Sequence, residues 1–189
     1  MDKDRLEILS IALSDNKFPL AHAAMVEDVF ICQDKLKAED NQFWRRMFLR
    51  AFFSFVEGHI YQMRQKVLHV NSVRPLSLSL AELVVLEEKE YRLNQKGEIE
   101  AKDAFGKLSE GSVPFIYEIY FRVFGGSNPL PREVKGWSAF IEAIRIRNRI
   151  THPKSHTDMD ITASELKQVK LAVEWFQVIN KNIFATLLK

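Results

Sequence analysis

Cysteine is nearly missing from this sequence: Cys32 is the one thiol among 189 residues, so no internal disulfide can staple the fold. Its apolar neighbours predict a buried thiol rather than a redox centre. Glycine and proline are scarce, at 7 and 6 against 14 phenylalanines, which excludes the composition of a disordered chain. No apolar run approaches the roughly 20 residues that a membrane-spanning helix needs. The opening residues, MDKDRLEILS, place acids where a secretory leader carries bases. A soluble cytoplasmic protein with no membrane partner is expected.

Charge of one sign is lacking too. The 27 Lys and Arg face 25 Asp and Glu, a formal net charge of +2. That balance excludes a polyelectrolyte that holds nucleic acid by bulk charge, and leaves a local basic site as the remaining route. No Gly-rich phosphate loop follows a predicted strand. His59, His69, His152 and His156 are not joined by cysteines or acids at metal-ligand spacing. Neither a metal nor a cofactor is expected.

What is present is helical periodicity. Trp44, Phe48, Phe52, Phe55, Ile60 and Met63 recur mainly at intervals of three to five, and Phe53 and Val56 widen the stripe. They predict a helix over 41–68, roughly 40 Å long at 1.5 Å per residue, as the spine of the fold. Its polar side carries Arg50, Glu57 and Arg64, spaced by seven and so close to one line. Shorter helices are expected over 2–14, 20–37, 77–93 and 113–124. The stretch 98–110 is left between a short helix and an irregular connection, and 125–131 is the clearest loop. The aromatics of 115–124 have core spacing, which favours packing over base stacking.

Two helices finish the chain. One, over 132–151, buries Trp137, Phe140, Ile141 and Ile144 and stops before Pro153, because a residue preceding proline disfavours the helical region. The other begins at a capping box, Thr162 with Glu165, and continues its apolar side through Leu166, Val169, Val173, Phe176, Ile183 and Leu187. The fold class is all-α: a helical bundle with long core helices and an irregular middle. Residues 1–40 are expected as an N-terminal helical extension and 41–189 as the bundle.

The chemistry is concentrated where the penultimate helix ends. Arg145 to Lys154 holds four cations and one imidazole with no acid among them. Guanidinium groups clamp phosphate through charge-assisted, bidentate hydrogen bonds, and imidazole moves protons near neutral pH. RNA offers a matching substrate, because its 2′-hydroxyl is a nucleophile beside the scissile phosphate and DNA lacks it. On a regular helix Arg147 and His152 would diverge by about 140°. Pro153 ends the helix at the imidazole and allows it to be re-aimed. Asn148, four before His152, is placed to orient it or to bind a phosphate oxygen. Basic residues at a helix C-terminus also stabilise the helix dipole without any catalysis.

The segment Arg147-Asn148-Arg-Ile-Thr-His152, on the penultimate long helix of an all-helical chain, resembles the R-x4–6-H motif of the HEPN superfamily. The long helix at Arg50-Ala-Phe-Phe-Ser-Phe-Val-Glu57 is similar to that family as well. The resemblance covers about 41–189. It implies a metal-independent endoribonuclease acting on single-stranded or loop RNA, with Arg147, His152 and Asn148 as catalytic residues. It also implies a homodimer that builds a composite site, and a toxin or antiviral effector with a cognate antitoxin or defence-system partner. Arg149, Lys154, Arg50 and Arg64 are candidate RNA contacts, and Glu57 a supporting residue that orients a basic neighbour. Arg145 is expected as a solvated or partner-facing charge. The superfamily also contains inactive members, so the alternative is a noncatalytic helical module that binds RNA or another protein.

Overall fold

The computed structural model describes residues 3–14, 19–103, 108–126, 128, 130–131 and 134–187. Over them the chain is a predominantly helical bundle, as the periodicity predicted, with one small sheet that it did not predict. The helices α1 (Lys3–Ser14) and α2 (Pro19–Ala38) lead into the spine, α3 (Gln42–Val73). Asn41 caps α3 by accepting a hydrogen bond from the Trp44 amide at 2.9 Å. Arg74, extended at φ −137°, ends it just before Pro75. Phe48, Phe52, Phe53 and Val56 of this helix are almost wholly buried, each burial contributing about 1.5–3 kcal/mol.

Against the spine stand α6 (Lys135–Thr151) and α7 (Ala163–Leu187), which pack closely on each other. Phe140 of α6 and Phe176 of α7 stack with ring centroids 5.9 Å apart, and Phe52 of α3 meets Phe176 edge-on at 6.0 Å. Gly136 permits the close approach, since a Cβ there would lie 2.3 Å from the Trp175 ring. The capping box of α7 forms as expected: the Thr162 amide donates to Glu165 and the Glu165 amide to the Thr162 hydroxyl, at 2.8 and 3.2 Å. The side chains of Ile183 and Leu187, expected on the apolar side of this helix, lie outside the described residues, as do 127 and 129 of the expected loop. So do 132 and 133, where the penultimate helix was expected to begin. Ala12, Val29, Cys32 and Leu36 of α1 and α2 bury in the same core as the spine. Burial raises the pKa of the Cys32 thiol, and Asp28 adds to the rise.

The middle departs from expectation. The helix predicted over 77–93 is only α4 (Leu80–Glu87), followed by a hairpin of β1 (Lys89–Leu93) and β2 (Ile99–Asp103). Local chemistry accounts for both ends of α4. Ser79 and Glu82 form a capping box, and Glu88 leaves the helix with a left-handed φ of 52°. Lys89-Glu-Tyr-Arg-Leu93 then alternates with the period of a strand, not of a helix. Gln95-Lys-Gly97 forms the hairpin turn, in which the Asn94 side chain accepts from the Lys96 and Glu98 amides, both at 2.9 Å. The strands pair antiparallel, Tyr91 with Ala101 and Leu93 with Ile99, and leave Tyr91, Leu93 and Ile99 exposed. The helix α5 (Ser112–Phe124) returns the chain to the spine.

Candidate functional site

A groove of about 1120 Å³ opens between α3, α4, the start of α5 and the C-terminal end of α6. Arg147, Asn148, Thr151 and His152 line it from α6, facing Glu57, Tyr61 and Arg64 of the spine. The basic helix end and the spine each supply one side of the groove.

The end of α6 sets the aim of the imidazole. The His152 amide still donates to the Asn148 carbonyl at 3.1 Å, so the last turn stays closed up to that residue. The chain leaves the helix at His152 itself, with ψ of 61°. Pro153 imposes the exit. Departing there, His152 lines the same groove as Arg147 despite the divergence that a regular helix would impose. The Thr151 hydroxyl donates back to the Arg147 carbonyl at 2.7 Å and tightens the turn. His152 is exposed, so solvent and ligand reach it alike.

Arg147 is held from two sides. One guanidinium nitrogen is ion-paired with Glu57 of the spine, and another donates to the Asn148 side-chain oxygen at 3.0 Å. The Arg147 side chain keeps 24% of its exposure, enough to offer its remaining donors to an oxyanion. Asn148 thus orients the guanidinium directly. Arg64, buried within the spine, is ion-paired with Glu88, the left-handed residue that ends α4. Arg122 of α5 ties α4 down by donating to Glu82 at 2.7 Å, which keeps Glu88 against the groove. The start of α5 also borders it, through Gly111 and Ser112, and the amide-rich end of a helix favours negative charge.

The other candidates lie elsewhere. Arg149 points into the connection between α6 and α7. It donates to the Asp158 and Asp160 carbonyls at 3.1 and 2.9 Å and to the Glu165 carboxylate at 2.7 Å. It fastens the 3₁₀ turn His156–Met159 to the start of α7 rather than lining the groove. The Lys154 amide donates to Asp158 at 2.7 Å within that turn, and its side chain is not part of the groove lining. The same contact and the neighbouring Ser155 amide hold the Asp158 carboxyl below its usual range. Arg50 is exposed on the spine beyond the groove. Arg145 is exposed and pairs with Glu110 and Glu142, both at 3.4 Å.

Sequence reasoning missed Tyr61, Glu88 and Phe115 as groove residues. Tyr61 was within reach, since it stands four after Glu57 and three before Arg64 on one helix. Glu88 was hidden by reading 77–93 as one helix. Phe115, assigned to the core by its spacing, is only half-buried and borders the groove, while Tyr117, Tyr120 and Phe121 are buried as expected. Among the described residues, no three His, Cys, Asp or Glu side chains gather as a metal site would require. No described helix is long and apolar enough to cross a membrane. No protein-family model, curated protein or solved structure matches the chain.

Proposed function

We propose that the protein is an endoribonuclease that cleaves unpaired RNA by attack of the 2′-hydroxyl on the adjacent phosphate. One observation carries this reading: Arg147, Asn148 and His152 line one groove, with the guanidinium oriented by Glu57 and the imidazole open to solvent. In the reaction the 2′-oxygen bonds to phosphorus as the bond to the 5′-oxygen breaks. The 2′-hydroxyl gives up a proton and the departing 5′-oxygen gains one. The products are a 2′,3′-cyclic phosphate and a 5′-hydroxyl. Arg147 stabilises charge on the non-bridging oxygens, and His152 moves one of the two protons. The step asks for no metal.

A single imidazole serves one proton at a time, which favours a homodimer whose second His152 serves the other. Exposed Leu80 and Val85 on α4, with Val85 bordering the groove, offer apolar surface for such pairing. The resemblance of the Arg147–His152 segment to HEPN domains supports the same reading. It extends it to a cytoplasmic toxin or antiviral effector controlled by a cognate antitoxin or defence-system protein. The competing reading, a noncatalytic module for RNA or protein, draws on the carboxylates of Glu57 and Glu88, which engage both groove arginines.

Incubation of the protein with mixed RNA and DNA in chelator decides between them. RNA-only cleavage leaving cyclic phosphate, lost in folded His152→Ala and Arg147→Ala variants, is the expected result. Normal cleavage by both variants, or binding without cleavage by the wild type, overturns the assignment.

A further inference from the structure

The groove is larger than one phosphodiester requires, and its lining includes aromatic and aliphatic side chains beside the charged ones. Along α3 from Glu57, Tyr61 and Arg64 follow four and seven residues later on the stretch that borders the groove, which carries the lining about 10 Å along the helix axis. Tyr61 is 45% exposed. The Arg64 guanidinium lies over its ring, 5.1 Å from the centroid. Phe115 of α5 and Val85 of α4 border the same space. A phosphate gains nothing from such a wall. A nucleobase does, since every base has a face that stacks on an aromatic ring or a guanidinium plane.

Arg64 adds an independent sign. It is 9% exposed, its guanidinium pairs with Glu88, and its Nε–H has no acceptor. A buried donor without a partner is costly, so the Glu88 pair leaves this cation incompletely satisfied. A phosphate oxygen, which accepts from guanidinium in the same bidentate geometry as a carboxylate, is a suitable exchange partner.

We infer that this wall is a base-reading subsite: the unpaired nucleobase beside the scissile phosphate stacks on Tyr61, and the next phosphate along meets Arg64. The inference rests on the ribonuclease reading and narrows its substrate. The ligand is single-stranded RNA that occupies the groove with phosphate, base and phosphate in order. Duplex RNA, whose bases are already stacked, cannot insert one.

The probes are a fluorescent 2′-O-methyl octanucleotide, which lacks the nucleophile and so reports binding alone, and a matched strand with every base removed. Wild type should bind the base-bearing strand about tenfold or more tighter than the abasic one, as one stacked base provides. Tyr61→Leu should erase that preference, while Tyr61→Phe keeps it. Undiminished preference in a folded Tyr61→Leu protein overturns the subsite, and chelator-resistant RNA cleavage by the wild type would then leave the ribonuclease reading standing. Absence of both RNA binding and RNA cleavage overturns the two together.

Discussion

Glu57 of the spine and Arg147 near the end of α6, ninety residues apart in the chain, are ion-paired at the groove. The carboxylate fixes the guanidinium and also competes with any phosphate for it. Glu57→Gln should therefore split the kinetic constants. Removing a negative charge from the groove should tighten RNA binding roughly threefold to tenfold at low salt. Loss of the orienting partner should lower kcat by about tenfold. Steady-state kinetics on one RNA, with KM and kcat resolved, tests this; a fall in both binding and turnover would show that Glu57 does not compete.

Arg149 sits two residues from Arg147 and should behave in the opposite way. Its bonds to two backbone carbonyls and to Glu165 hold the connection between α6 and α7. Arg149→Ala should cost about 2 kcal/mol of stability and leave RNA cleavage per folded molecule unchanged. Urea unfolding and an activity measurement on the same sample separate the two effects. Loss of activity without loss of stability would return Arg149 to the groove chemistry.

At the other end of α6, Gly136 has no room for a side chain against Trp175. Gly136→Val should push α6 from α7 and destabilise the fold by about 1–3 kcal/mol, as overpacking does. Trp175 fluorescence should shift toward that of a wetter indole. An unchanged unfolding midpoint would mean that the indole moves aside freely.

His59 on α3 gives the protein an acid limit. It is buried between Phe55, Tyr117 and Phe176, with His22 beside it, and its Nε2 has no hydrogen-bond partner. Burial first, and then the nearby His22 and Lys66, push its pKa down to about 3. An unfolded histidine titrates near 6.5. Between these values the unfolded chain holds the extra proton, so stability is full above pH 6.5 and falls as the pH drops. The slope contributed by this residue is up to about 1.4 kcal/mol per pH unit. His59→Phe should flatten that dependence in unfolding curves taken from pH 7 to 4, and an equally steep loss in the variant would assign it to other groups.

What the sequence alone determined was local. The apolar stripe of the spine, the Thr162–Glu165 box and the stop at Pro153 each depend on residues within about two helical turns. Near-neighbour chemistry settles such features before any folding partner arrives. The hairpin over 89–103 was lost because Leu83, Val84 and Leu86 carry a helical pattern that reads on across Glu88, where a single left-handed residue changes the period.

The tertiary structure decided which charges share a space. Arg147, Arg149 and Arg64 look equivalent as residue types. One meets Glu57 at the groove, one is drawn into carbonyls of the α6–α7 connection, and one is buried against Glu88. Those fates follow from how distant helices cross, because an ion pair is set by separation in space, and no periodicity along the chain encodes that separation.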